Sequence, residues 1–221
     1  MSVQTGSSYD ALRAAIVSGD IAPDARLVEA DVSATFGMSR GAVRTALIRL
    51  EQDGLVVREP HRGARVRKVS NEEAVEILQA RAVLEGLAAR QAAERIDEAG
   101  KEHLAACLAR QRDLLELGDL LGASDANADL HAALLELSGH GTAQRLIEAL
   151  HAQTVRYQYR TILIPGRSAA SVGEHAAIVD AVLGRPDDAD AAMRRHLFNV
   201  AQAVRRQFIP EDIDKASRGA L

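Results

Sequence analysis

The chain has 221 residues, a formal net charge of −4 at neutral pH and a single cysteine, Cys107, which excludes an intramolecular disulfide. This length allows one small and one medium domain, and the abundance of Ala and Leu over aromatic residues favours packed helices over a large sheet. The sequence shows neither a signal-peptide pattern nor a run of ~20 apolar residues, so we expect a cytoplasmic protein with no membrane partner.

The first sixty residues predict three short helices that include a helix-turn-helix. Apolar side chains recur at helical spacing over residues 9–18 and again over 28–36. A Gly-Met-Ser turn follows at 37–39, and Ser39 can cap a further helix by accepting a hydrogen bond from its first turn. This further helix ends at Gly54 and carries three arginines: Arg40, Arg44 and Arg49.

A basic hairpin is predicted directly after these helices. Two short β-prone runs, residues 55–59 and 64–68, flank a Pro-His-Arg-Gly turn at 60–63. Residues 38–68 hold eight Lys or Arg against three acidic residues, so the remainder of the chain carries a net charge of −9. Guanidinium groups in the first turns of a helix, beside a basic hairpin, suit the major groove of DNA and its phosphates. We therefore predict a winged helix-turn-helix that binds double-stranded DNA.

From Ser70 onward, every strongly periodic segment is helical. Ser70 can cap the first of these helices, with Glu73 as its capping-box partner. We therefore predict a DNA-binding domain over residues 1–69 and an all-α domain over 70–221, a mainly α fold whose only sheet is the small wing. Short Gly- and Pro-containing breaks predict an antiparallel bundle, with helices at about 71–94, 97–118, 123–138, 142–164, 170–184 and 187–208.

Three histidines in the second half form a possible metal-ligand pattern. His131 lies four residues after Asn127, so both side chains project from one helical face. His175 lies early in a later helix and His196 lies in the last. Three neutral imidazoles and one oxygen ligand suit a divalent metal such as zinc, nickel or manganese. From spacing alone, unrelated buried or surface histidines are the simpler account.

These segments together resemble a known family of regulators. The N-terminal part is similar to the GntR transcription regulators in four motifs: Gly37-Met38-Ser39-Arg40, Val43-Arg44-Thr45-Ala46-Leu47, residues 50–55 and Arg62-Gly63. The remainder resembles the FCD ligand-binding domain of the FadR subgroup over residues 80–96, 127–140 and 173–197. The resemblance implies a homodimeric, effector-responsive repressor or activator, with repression as the first expectation, that is not an enzyme and binds an imperfect palindrome.

The resemblance also assigns residues to the DNA interface. It implies that Arg40 and Arg44 contact bases or phosphates at the start of the recognition helix, beside Ser39. Arg49, more than a turn later, is expected at the DNA backbone. Three residues of the wing are expected in or beside the minor groove: His61, Arg62 and Gly63.

For the helical domain, the resemblance implies a metal and a small carboxylate effector. The implied metal ligands, with zinc as the foremost metal, are Asn127, His131, His175 and His196. Arg81 is expected to reach the effector's carboxylate, against the alternative of a solvated arginine paired with Glu85 at i+4. Arg160 is a second cationic candidate. Glu174 is expected either to orient the neighbouring His175 or to be an exposed carboxylate.

Two other classes of protein remain open from the residues. In a metalloenzyme, three histidines and an open metal position would activate water. However, the sequence has no His-Glu-x-x-His helix, Gly-rich phosphate loop or nucleophile elbow. In an architectural DNA-binding protein, the bundle would serve dimerisation alone, without metal or effector.

Overall fold

A computed structural model describes residues 8–59 and 63–208, so the predictions for His61 and Arg62 lie outside the described residues. The strands are β1 (Arg26–Leu27), β2 (Val56–Glu59) and β3 (Gly63–Val66). The helices are α1 (Ser8–Ser18), α2 (Glu29–Phe36), α3 (Arg40–Gln52), α4 (Asn71–Arg95), α5 (Glu98–Glu116), α6 (Leu120–Ser138), α7 (Gly141–Ile162), α8 (Arg167–Gly184) and α9 (Pro186–Phe208).

The chain divides into two compact units. Unit 1 comprises residues 1–69 together with 149–156 of α7, and unit 2 comprises 70–148 and 157–221.

The prediction of a mainly α fold with a small β wing is confirmed. Every helix predicted beyond residue 70 begins and ends within three residues of an observed one. Among the described residues, no helix combines the length and the apolar character needed to cross a membrane.

Unit 1 is a three-helix unit with an antiparallel sheet in the order β1-β3-β2. Its core includes Leu12, Val43 and Leu50, none of which is exposed to solvent. The two-residue strand β1 was not predicted, because two residues give no periodic signal. Gly63 opens β3 with a φ of +88°, and a Cβ there would collide with the carbonyl oxygen of Leu27, so this position requires glycine.

The segment 149–156 belongs to unit 1 through polar as well as apolar packing. Ala152 lies in the unit 1 core. Gln153 donates from Nε2 to the carbonyl oxygen of Asp53 at 3.0 Å and accepts from Arg67 Nη1 at 2.9 Å. Nothing in the sequence pattern predicted this, since the partners are 100 and 86 residues apart.

Unit 2 is built from helices whose ends are fixed by side chains. Ser70 caps α4 by accepting from the Glu73 backbone N–H at 3.1 Å, as the sequence predicted. Asp97, Asp119 and His140 cap α5, α6 and α7 in the same way. The unit's buried apolar side chains include Leu104, Leu130, Ile178, Val182 and Met193.

Candidate metal centre and nucleic-acid interface

Three imidazoles converge in the interior of unit 2. His131 lies on α6, His175 on α8 and His196 on α9, and all three are buried. One ring nitrogen of each lies within 4.8 Å of the others, and the ring centroids are 4.5–5.3 Å apart. Among the described residues, this is the one group of three or more His, Cys, Asp or Glu arranged to hold a metal ion.

Oxygen acceptors fix the orientation of every imidazole. Each Nδ1 atom lies 2.6–2.7 Å from an oxygen on another helix: His131 from Glu85 Oε2, His175 from Gln111 Oε1, and His196 from Glu174 Oε2. Because carboxylate and amide oxygens accept, each Nδ1 carries the proton and donates it. In a neutral ring held in this way, Nε2 keeps a lone pair for a ligand bond, as in metal sites whose histidines are held by outer-shell oxygens.

The two nearest nitrogens of the cluster have a geometry that fits a cation. Burial lowers the pKa of His175 well below its usual range and, despite the opposing hydrogen bond to Glu174, lowers that of His196 to about 4. Both rings are therefore neutral at pH 7, and their Nε2 atoms face each other at 3.3 Å with no proton between them. Two nitrogens on a tetrahedral zinc, at bond lengths of about 2.0–2.1 Å, are separated by about 3.3 Å. The spacing of this pair, and the imidazole chemistry of all three donors, fit a divalent metal.

Glu85 couples the cluster to a buried arginine. Its Oε1 accepts from Arg81 Nε at 2.7 Å while Oε2 accepts from His131. Burial opposes ionisation of Glu85, but the Arg81 guanidinium and His131 hold its pKa well below the usual range. The i+4 pair predicted for Arg81 exists, yet it is buried rather than solvated, with side-chain exposures of 11% and 2%.

Glu174 is the second carboxylate beside the cluster, and it orients a different histidine from the one predicted. The sequence placed it beside His175, but its carboxylate accepts from His196, because its position on α8 faces α9. Arg167 and Asn199 also donate to it, at 2.7 and 2.9 Å. Burial raises its pKa, but the hydrogen bonds from His196 and Arg167 outweigh this and lower it to about 2. The carboxylate is therefore ionised and paired.

On unit 1, α3 presents an exposed basic face. Ser39 caps this helix as predicted, accepting from the Ala42 backbone N–H at 3.2 Å. Arg40, Arg44 and Arg49 are all exposed. The guanidinium of Arg49 lies over the ring of Tyr9, 4.0 Å from its centroid, and is therefore held against α1.

Arg44 makes a two-point ion pair with a residue of the preceding helix. Its Nε and Nη2 atoms donate to Glu29 Oε1 and Oε2 at 3.0 and 2.9 Å. The hydrogen bond from Arg44 lowers the pKa of Glu29. On the adjacent hairpin, Arg58 is exposed and 3.9 Å from Glu51, and the motif analysis did not single it out.

Comparisons with known proteins fit both halves of this description. The bacterial regulatory protein family gntR matches residues 5–66, and the FCD domain matches residues 76–199. The HTH-type transcriptional repressor RspR of Escherichia coli K12 is 32% identical over 199 residues, which cover 90% of this chain and 87% of that protein. The chain belongs to the GntR family. The regulator carries an FCD domain, as the sequence predicted.

Solved structures share the fold of this GntR regulator. Escherichia coli McbR/YncC aligns with a TM-score of 0.71 at 21% identity, covering 91% of this chain and 95% of that one. A putative GntR regulator from Rhodococcus sp. RHA1 aligns with a TM-score of 0.69 at 24% identity, over 90% and 96%. The family matches and the 32% identical relative, rather than these structures, show that the chain is a DNA-binding transcriptional regulator, a member of a family of regulators and not of enzymes.

Asn127 and Arg160 are the remaining predicted site residues of the helical domain. Asn127 is half-buried on α6, one helical turn before His131, and its role as a fourth ligand stays a prediction. Arg160 is exposed near the end of α7, where its Nη1 donates to Asn71 Oδ1 at 3.3 Å. Its contact with an effector also stays a prediction, as does that of Arg81.

Sequence reasoning missed Gln111 and Arg167. Gln111 is buried and lies 64 residues from its partner His175. Arg167 begins α8 and pairs with Glu174 across about two helical turns. A Gln within a helix carries no local sign of such a contact, whereas the seven-residue spacing of Arg167 and Glu174 offered a weak one.

Proposed function

We propose that this regulator is a homodimeric repressor whose affinity for an operator is set by a small carboxylate bound at a metal centre in its FCD domain. The arrangement that carries the proposal is the set of three buried imidazoles, each with Nδ1 engaged by an oxygen and with one ring nitrogen of each within 4.8 Å of the others. The repressor assignment is supported by the name of the relative RspR.

On the DNA side, the basic face of α3 and the β2–β3 hairpin would bind the operator. The positive charge of residues 38–68 gives sequence-independent affinity, while α3 supplies contacts to base edges. Two chains related by a two-fold axis would present two such helices to an imperfect palindrome. His61, Arg62 and Gly63 are assigned to the wing contact.

In the FCD domain, His131, His175 and His196 would hold the ion, with the Asn127 amide oxygen as a fourth ligand. Zinc is the foremost metal, with nickel and manganese as alternatives for this donor set. When bound, the ion supplies positive charge that attracts an organic acid's carboxylate. Glu85, Gln111 and Glu174 keep the three imidazoles in the tautomer that binds the ion.

The two cationic side chains proposed to meet an effector, Arg81 and Arg160, differ in what they can offer it. Arg81 gives Nε to Glu85, which leaves its Nη atoms outside that hydrogen bond and able to donate to a carboxylate. Arg160 is exposed and is the weaker candidate. An effector can shift operator affinity only by its preference for one state of the protein, about 1–3 kcal/mol in typical coupling.

The first experiment measures the metal content of purified protein by inductively coupled plasma mass spectrometry. We expect about one equivalent per chain in the wild type and background levels in His175→Ala, because two imidazoles and an amide retain the ion poorly. His103→Ala is the matched control, since it removes an exposed histidine of α5 and should leave the metal in place. Unchanged metal in His175→Ala would remove this residue from the centre.

A second experiment separates an effector-responsive regulator from an architectural protein. Small carboxylic acids are screened by thermal shift against metal-loaded and chelator-treated protein. Binding of the native state raises the melting temperature by mass action, so a true effector stabilises the loaded protein and not the stripped one. An architectural protein would hold no metal and would respond to none of the acids.

A further inference from the structure

The ion pair between Arg44 and Glu29 uses only one side of the guanidinium. Nε and Nη2 form its lateral edge, and both donate to the Glu29 carboxylate, 15 residues earlier in the chain. The terminal edge consists of one N–H of Nη1 and the second N–H of Nη2, the one that does not donate to Glu29, and these two N–H groups take no part in the contact. The Arg44 side chain is 63% exposed, so this terminal edge belongs to the surface of α3.

A guanidinium held by its lateral edge is prepared for one kind of DNA contact. Two parallel N–H groups match the O6 and N7 acceptors of guanine in the major groove, which is the commonest specific contact of arginine. Fixing the side chain before binding also reduces the entropy lost when it docks.

The same pair is poorly suited to anchoring a phosphate. Arg44 and the ionised Glu29 together carry no net charge, so they contribute little to the release of counterions that drives phosphate binding. A carboxylate that close would also repel the DNA backbone. A phosphate contact is made better by an arginine with no acidic neighbour, since it needs charge more than a fixed orientation.

We propose that Glu29 is the positioning residue that presents Arg44 to a guanine of the operator and thereby sets specificity at that base pair. The proposal rests on the proposed placement of α3 in the major groove. Glu29 itself touches no base. Removing the Glu29 carboxylate has two opposed effects on DNA affinity. The loss of a negative charge raises the affinity for any DNA, and the release of Arg44 lowers the affinity for the sequence that carries the guanine.

The test uses the full-length protein and duplexes of defined sequence. An operator duplex is selected from a randomised pool by the wild type, each of its guanine pairs is replaced in turn, and a shuffled duplex of equal length serves as non-specific DNA. Dissociation constants are measured by fluorescence anisotropy. Because one bidentate guanine contact discriminates by roughly 5–150-fold, we expect Glu29→Gln to lower the operator-to-shuffled affinity ratio by about tenfold.

Within that ratio, the two affinities should move in opposite directions. Glu29→Gln should bind the shuffled duplex about twofold more tightly, since a repulsive charge is gone, and the operator more weakly. Glu29→Gln should lose discrimination at one guanine pair only. In Arg44→Ala, replacing that same pair should no longer change the affinity. If Glu29→Gln instead bound both duplexes more tightly, Glu29 would restrain Arg44 from DNA, and the proposal would be wrong.

Asp31→Asn is the matched control for charge. Asp31 is a second acid in the first turn of α2 and is exposed, so its substitution should increase the affinity for both duplexes equally and leave the ratio unchanged. The experiment also distinguishes a wrong placement of α3 from a wrong role for Glu29. If Arg44→Ala leaves operator affinity unchanged, the placement of α3 is wrong. If Arg44→Ala weakens it but Glu29→Gln keeps full guanine discrimination, only the role of Glu29 is overturned.

Discussion

The basic face of α3 and the histidine cluster of unit 2 use charged groups in opposite surroundings. On α3 the arginines are exposed, and in the Arg44–Glu29 pair the side chains are 63% and 29% exposed to solvent. In the cluster, each ionised carboxylate is buried or half-buried and has both an arginine and a histidine as partners. Water can replace a lost partner on α3 but not in the buried cluster. Removing one member of a charged pair should therefore lower the free energy of unfolding far more in the cluster than on α3.

Helix α4 contains this contrast within itself. Arg81–Glu85 and Arg90–Glu94 are both i,i+4 pairs on the same helix, with donor-to-acceptor distances of 2.7 and 3.3 Å. The first pair has side-chain exposures of 11% and 2%, and the second has 49% and 46%. The two pairs share residue types and spacing and differ in burial. They also differ in their other partners, since Glu85 accepts from His131 as well, whereas Arg90 also pairs with Asp187 at 3.0 Å.

The largest predicted effect comes from Glu85→Ala. It leaves the Arg81 guanidinium and the His131 N–H without their acceptor in a buried place, which should destabilise the protein by about 3–5 kcal/mol. Glu94→Ala removes the exposed equivalent and should change stability by no more than about 0.5 kcal/mol. Urea unfolding followed by circular dichroism, with chelator present so that metal plays no part, measures both. Equal losses in the two variants would contradict the contrast.

A smaller effect is expected from the amide beside His175. Gln111→Leu removes the acceptor of the Nδ1 proton and should weaken metal binding by about 10–100-fold, the usual effect of losing an outer-shell partner. Gln111→Glu keeps an acceptor and should bind metal at least as tightly as the wild type. Competition with a chelating dye measures both affinities. Wild-type affinity in Gln111→Leu would show that the hydrogen bond does not support the proposed centre.

The smallest effect concerns the start of α3. Ser39→Ala removes the cap that accepts from Ala42 and should cost about 1 kcal/mol of unfolding free energy, together with a modest loss of operator affinity as the first turn frays. Ser39→Thr keeps the hydroxyl and serves as the control. Urea unfolding and anisotropy report the two quantities. A similar loss in both variants would show that packing, rather than the cap, matters at this position.

The sequence predicted the helices of this protein well because their signals are local. Apolar spacing, the caps at Ser39 and Ser70 and the breaks at Gly or Pro all act within a few residues. The strand β1 escaped prediction because it pairs two residues with β3, some forty positions away.

The candidate site was predictable in part and for a different reason. The resemblance to the FCD domain brought His131, His175 and His196 together, whereas their spacing of 44 and 21 residues did not. Their acceptors followed no rule of spacing, since Gln111 reaches His175 across 64 positions and Glu174 reaches His196 across 22. Contacts between helices depend on how the bundle packs, which local periodicity does not encode.

The unequal partners of the three imidazoles have an evolutionary consequence. Two histidines face carboxylates and one faces the Gln111 amide, and a carboxylate makes its imidazole the more basic donor. The codons of glutamine and glutamate differ at a single base. One nucleotide exchange would therefore replace the Gln111 amide, the weakest of the three acceptors, by a carboxylate. Selection can thus retune how firmly the proposed ion is retained while every residue that would touch it is left alone.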